Sequence, residues 1–202
     1  VEPHEFEPSP SDIKKLNDSD VFIFTDSNME HWAEKISSSL SGVKVIEASR
    51  GIDIVNNDPH VWLNLNNAQI MVRNIVKGLI EARPDMAEIF NGNAENYCAK
   101  VAELDGKFEA LNKNKTLVFA GKFAFNYFIE RYKFNYISAY DGENEPSVKS
   151  MAAILRFIEE NDVKFVFSDS PDNPVARSTA GETGSEILIF DSCENSSDFN
   201  KG

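Results

Sequence analysis

The chain has 202 residues, 42% of them hydrophobic, and a formal net charge of −13 at neutral pH. That length suits one large domain or two small lobes with real cores, and the acidic balance excludes the basic face that nucleic-acid binding needs. No run approaches the roughly eighteen apolar residues of a membrane span. No targeting segment is recognisable, and the opening VEPHEFEPSP reads as the middle of a longer chain.

The first element is a short helix over SPSDIKKLNDS, capped by Ser9 or Ser11. The strand VFIFTD (21–26) follows, and NMEHWAEKISSSL then places Met29, Trp32, Ile36 and Leu40 on one helical face. A second strand, VKVIEA (43–48), leads into the loop NDPHVWL. One helix is expected from Asn66 to Arg83, stopped by Pro84. Another is expected over 85–113, with Met86, Phe90, Tyr97, Val101, Leu104, Phe108 and Leu111 at helical spacing. A helix that long extends roughly 40 Å, more than one small sheet requires, and reads as a strut between lobes.

Beyond it come the strand TLVFAG (116–121), the helix AFNYFIERY and the strand FNYISAY (134–140). The helix PSVKSMAAILRFIEEN, the strand VKFVFSD (163–169), the helix PVARSTAGETG and the strand EILIFDS (186–192) complete the order. Nearly continuous apolar runs separated by helices are the pattern of parallel strands buried on both faces, and so of an α/β fold. The 15 phenylalanines imply aromatic layers inside it. Cys98 and Cys193 form no CxxC pattern. Cys98 reads as a small core residue, and a disulfide between the two is disfavoured. There is no GxGxxG and no phosphate-binding loop, and the lone Gly121 is weak evidence for one.

Three histidines are present. His4 and His60 lie in loops outside strand ends, each beside a proline and an acidic residue, a setting that holds an imidazole in one orientation. His31 sits beside Trp32 in a helical stretch and reads as an ordinary surface or half-buried residue. Two histidines and a carboxylate could also carry a catalytic zinc, but no general base stands at HExxH-type spacing.

The segments PHEFEPSPSDIKKLNDSDVFIF, DPHVWLN, PDMAEIFNGNAENYCAKVAELD, FAFNYFIERY, EPSVKSMAAILRFIEENDVKFVF and ARSTAGETGSEILIF follow one another along the whole chain. Together they resemble the zinc/manganese substrate-binding proteins of bacterial ABC transporters, also called cluster 9 or A-I. The resemblance implies an α/β fold of two lobes with mainly parallel sheets, joined by a long rigid linking helix, with the ligand cleft between the lobes. On that reading residues 1–84 form the N-terminal lobe, lacking its first strand. Residues 85–113 are the linking helix, and 114–202 the C-terminal lobe, lacking its last helix.

The same resemblance implies an extracytoplasmic protein, periplasmic or a cell-surface lipoprotein, and not an enzyme. It would capture a divalent ion, zinc before manganese, and deliver it to an ABC permease. It would act as a monomer that meets the membrane only through a lipid anchor or the permease. Residue by residue, it carries metal-ligand roles onto His4, His60 and Asp191, with Asp58 and Glu7 as partners of the imidazoles. Pro59 and Trp62 would fix the loop. The third-ligand position, histidine or glutamate in the family, holds Lys122 here.

A protonated lysine has no lone pair to donate. Three readings follow. Lys122 turns to solvent and leaves a two-histidine, one-aspartate site with water at the open position. Lys122 pairs with Asp191 and the metal is lost, as in a degenerate, adhesin-like member. Or the solute is different, anionic or metal-complexed. Asp141, Glu143 and Glu145 are nearby acids that could replace the missing ligand.

Overall fold

The computed structural model describes residues 6–111, 113–140 and 145–194. All six apolar runs form strands, each trimmed to four residues: β1 Val21–Phe24, β2 Lys44–Glu47, β3 Thr116–Phe119, β4 Asn135–Ser138, β5 Phe165–Ser168 and β6 Glu186–Ile189. Every pairing is parallel. The chain divides into two compact units, residues 1–110 and 111–202.

In the first unit, α1 (Pro10–Asn17) begins at Ser9, whose hydroxyl accepts from the Asp12 amide while the Asp12 carboxylate accepts from the Ser9 amide. This reciprocal cap satisfies two helix-end donors. Hydrogen bonds from Ser9 and then Lys15 lower the Asp12 carboxyl to about 2. After β1 the expected helix over 28–40 shrinks to α2, Ala33–Ser37. The reason is local competition for the backbone. Asp26 Oδ1 takes the Asn28 amide at 2.6 Å and the Met29 amide at 3.3 Å, which holds the entry as a turn. At the exit the hydroxyls of Ser37, Ser38 and Ser39 each bond back to a carbonyl three or four residues earlier. Met29 and Ala33 still reach the core, and Trp32 stacks on Phe22 at 5.8 Å.

β2 pairs with β1, and α3 (Leu65–Ala82) lies across both. Gly78 permits that approach, because a Cβ there would sit 2.3 Å from Ile46 Cδ1. Pro84 ends the run as expected, a 3-10 turn covers Pro84–Met86, and α4 runs from Ala87 to Glu109. Its 23 residues give a length of about 35 Å. α4 packs along α3.

The second unit has the strand order β4-β3-β5-β6. α5 (Asn126–Tyr132) joins β3 to β4, α6 (Val148–Asn161) joins β4 back to β5, and α7 (Pro174–Thr183) joins β5 to β6. α7 stops at Gly184, whose φ of 73° is the left-handed cap that glycine adopts without strain. α6 and α7 pack together. Val118, Phe119, Ile154, Ile158, Val166 and Ala176 are buried.

Burial on both faces, expected of all the strands, holds only in part. Ile23, Tyr136, Phe165 and Ile189 are each between 42% and 49% exposed. In β5, Val166 and Ser168 are buried, whereas Phe165 and Phe167 alternate onto a more open face. Cys98 is half-buried and Cys193 exposed, and both are free thiols. Among the described residues no helix is long and apolar enough to cross a membrane.

Candidate metal centre

The first unit presents His60 from a loop with little freedom. Asn56 and Asn57 both take left-handed φ values, 55° and 58°, and turn the chain into Asp58-Pro59. Asparagine tolerates that region better than most residues. Pro59 and Val61 are buried, and Val61–Leu63 form one 3-10 turn that runs into α3, which is capped by the Asn64 side chain on the Asn66 amide at 3.0 Å. His60 is therefore held at both ends by buried neighbours.

Its ring is oriented as well. His60 Nδ1 lies 2.6 Å from Asp58 Oδ1, and the same oxygen accepts the His60 amide at 3.0 Å. An ionised carboxylate only accepts, so within this pair Nδ1 carries the proton. Trp62 meets the imidazole edge-on, with centroids 5.5 Å apart. The side chains of His60 and Asp58 are only 10% and 13% exposed. A histidine that donates one ring N–H to a carboxylate is oriented as metal-ligating histidines usually are.

His4 lies outside the described residues, as do Asp141 and Glu143. Glu7, expected to orient a metal-binding imidazole, instead bonds His31 Nε2 at 2.7 Å, and both side chains are more than half exposed. His31 is thus a surface residue in the turn before α2.

Sequence reasoning passed over one buried acid in this unit. Asp26, just past the end of β1, is 1% exposed, and its Oδ2 has no hydrogen-bond partner among the described residues. Beside it Glu30 Oε2 accepts the amides of Thr25 and Asp26, and burial raises the Glu30 carboxyl above its ordinary value. The signal available in the sequence was an aspartate directly after an apolar strand run, followed by turn formers.

In the second unit Asp191 follows Phe190, which locks the end of β6. Phe190 stacks on Phe125 at 4.4 Å, meets Phe128 edge-on at 5.1 Å, and donates its amide to the Ser168 carbonyl at 2.9 Å. Asp191 itself is exposed, and its Oδ1 accepts the Cys193 amide at 2.7 Å. Although Cys193 is exposed overall, partial desolvation of its sulfur, and then the neighbouring Asp191 and Glu194, raise the thiol.

Lys122 sits at the end of β3. Its amide donates to Asp169 Oδ1 at 2.9 Å, an oxygen that also accepts from Asn173 Nδ2 at 3.2 Å. Its side chain is exposed and forms no ion pair with Asp191 or with any other described residue. The neutralised Lys122–Asp191 pair is therefore not how this unit is built. Among the described residues no three of histidine, cysteine, aspartate and glutamate converge as a metal group.

A family model described as zinc-uptake complex component A, periplasmic, matches residues 1–201. The zinc-binding protein AdcA of Streptococcus pyogenes serotype M18 is 32% identical over 96% of this chain, which spans only 44% of that protein's length. The manganese-binding lipoprotein MntA of Halalkalibacterium halodurans is 29% identical over 92% of the chain and 66% of its own length. Among solved structures, the Zn(II)-bound ZnuA-like domain of Streptococcus pneumoniae AdcA is 29% identical, with a TM-score of 0.82, covering 100% of this chain and 80% of that one.

Proposed function

The chain belongs to the zinc-uptake complex component A family, and from that premise we propose that it captures a divalent metal ion, zinc in preference to manganese, and hands it to an ABC permease. The family is one of solute-binding components and not of enzymes. The proposed ligands are His4, His60 and Asp191, with water completing the shell. Zinc accepts this set, since it takes imidazole nitrogen and carboxylate oxygen in four-coordinate sites that can keep one position open. The proposal includes an extracytoplasmic location, attachment by a lipid anchor or through the permease, action as a monomer, and α4 as the helix that joins the two lobes.

The observation that carries the reading is the Asp58–His60 pair, which holds the imidazole in a metal ligand's usual orientation inside a rigid, nearly buried loop. The preference for zinc rests on the zinc-binding relatives and on the nitrogen share of the donor set. Titration of the metal-free protein with zinc and with manganese tests it. Stoichiometric zinc binding is expected to weaken between about pH 7 and pH 5, because imidazole must be neutral to ligate. His60→Ala and Asp191→Ala should each lower the affinity. Absence of stoichiometric binding of either metal would refute the reading and favour a degenerate member, adhesin-like or binding another solute, which Lys122 in place of a donor would then explain.

A further inference from the structure

The first unit holds a pair of carboxylates that the metal reading does not use. Asp26 and Glu30 stand at the two ends of the turn that carries the chain from β1 toward α2, and the Glu30 amide closes that turn on the Asp26 carbonyl at 2.9 Å. The two side chains are unequally answered. Glu30 Oε2 accepts the Thr25 and Asp26 amides at 3.1 and 3.4 Å, and the Thr25 hydroxyl donates to the same carboxyl. Asp26 spends Oδ1 on the Asn28 and Met29 amides, and its Oδ2 has no donor among the described residues. At 1% exposure, bulk water does not supply one.

The surroundings bring no positive charge to the pair. The charged group that acts on Glu30 is Asp26 itself, which adds to burial in raising the Glu30 carboxyl. His31, next in sequence, is taken by Glu7. Neither Asp26 nor Glu30 pairs with a cationic side chain among the described residues. Met29 and Ala33 on the same stretch, and Ala48 and Ser49 at the end of β2, are buried and uncharged. β2 is held there by the Ser49 amide on the Thr25 carbonyl at 3.1 Å. A buried carboxylate oxygen with no donor, beside a second carboxylate, is costly unless a proton or a cation neutralises it. In acid the proton serves. Near neutral pH the role falls to a cation.

We propose that the Asp26–Glu30 turn binds a calcium ion, in a site separate from the zinc centre and independent of it. A donor set made only of oxygen suits a hard cation better than zinc. Calcium is favoured over magnesium because it takes six to eight oxygens in a flexible arrangement that includes backbone carbonyls and waters, whereas magnesium demands a near-ideal octahedron. Asp26 Oδ2 and the Glu30 carboxylate anchor the ion, and carbonyls and water complete its shell. The bound ion ties the end of β1 to the approach of α2.

Calorimetric titration of the full, zinc-free chain with calcium chloride at fixed ionic strength tests the site, with the melting temperature as a second readout. A single calcium is expected, with a dissociation constant of roughly 0.1–1 mM, since only two carboxylates hold it. At about ten times that constant, calcium should raise the melting temperature by about 3–6 °C. Asp26→Asn keeps an oxygen to cap the turn but removes the charge, and should abolish both effects. Glu30→Gln should weaken binding by about tenfold or more. Zinc affinity in Asp26→Asn should stay within about twofold of the parent, as separate sites require. Absence of calcium binding by the parent overturns the inference without recourse to any variant. Binding undiminished in Asp26→Asn or in Glu30→Gln overturns it too, because the ion then sits elsewhere on an acidic surface. Loss of zinc affinity in a folded Asp26→Asn chain would place Asp26 in the zinc centre and overturn the separate calcium site.

Discussion

Replacing Asp58 tests the link between the His60 loop and metal affinity most directly. Asp58→Ala removes one oxygen that holds both the His60 ring, at 2.6 Å, and the His60 amide, at 3.0 Å. Both side chains are nearly buried, so water replaces the lost acceptor poorly. Hydrogen bonds to a charged group contribute about 1.5–3 kcal/mol each. Partial recovery by solvent brings the expected destabilisation of the metal-free protein to about 2–4 kcal/mol. At roughly 2–4 °C per kcal/mol for a chain of this size, the melting temperature in chelator should fall by about 5–15 °C. Losing the partner that orients a ligating imidazole typically costs about 10–100-fold in affinity, equivalent to roughly 1.4–2.7 kcal/mol.

Asp58→Asn keeps an oxygen acceptor and loses only the charge, so its loss should stay near tenfold and its melting temperature close to the parent. Chelator competition gives the affinities and scanning calorimetry the stabilities. If Asp58→Ala melted lower yet bound zinc within about twofold of the parent, the carboxylate would be a structural brace with no bearing on the metal. That result would remove the main support for His60 as a ligand.

Two further outcomes follow from the packing. Gly121→Ala places a methyl against the Asp169 amide and carboxylate as well as Ser168. It should destabilise the second unit by about 1–3 kcal/mol in denaturant unfolding, and parental stability would show that Gly121 is packed more loosely than described. Glu30 has a carboxyl raised above its unfolded value of 4.5 by burial, so the folded chain holds that proton more tightly than the unfolded one. Its contribution to stability is therefore full below about pH 4.5 and is lost as pH rises through the folded value. Glu30→Gln should flatten that decline in urea unfolding between pH 4.5 and 7, and an unchanged slope would mean that Glu30 titrates as an ordinary surface acid.

Periodicity and end signals in the sequence determined a good deal by themselves. The six apolar runs became six parallel strands, Ser9 and Gly184 marked helix ends, and Pro84 separated the two long helices, because these signals act over a few neighbouring residues. The setting of His60 was legible for the same reason, since its oriented ring depends on Asp58 two positions away. His4, the other expected imidazole, lies outside the described residues. What tertiary structure alone decided was long-range. The order β4-β3-β5-β6 brings Gly121 tightly against Ser168 and Asp169, and Asp169 reaches across 47 positions to pin the Lys122 backbone. The short α2 and the buried Asp26 oxygen with no partner among the described residues were also invisible, because a period of 3.6 residues does not reveal which polar groups will compete for the backbone. Strand composition foretold burial, but only the presence or absence of a covering element decides which face is buried. Phe165 and Val166 are adjacent, equally apolar, and 48% and 0% exposed.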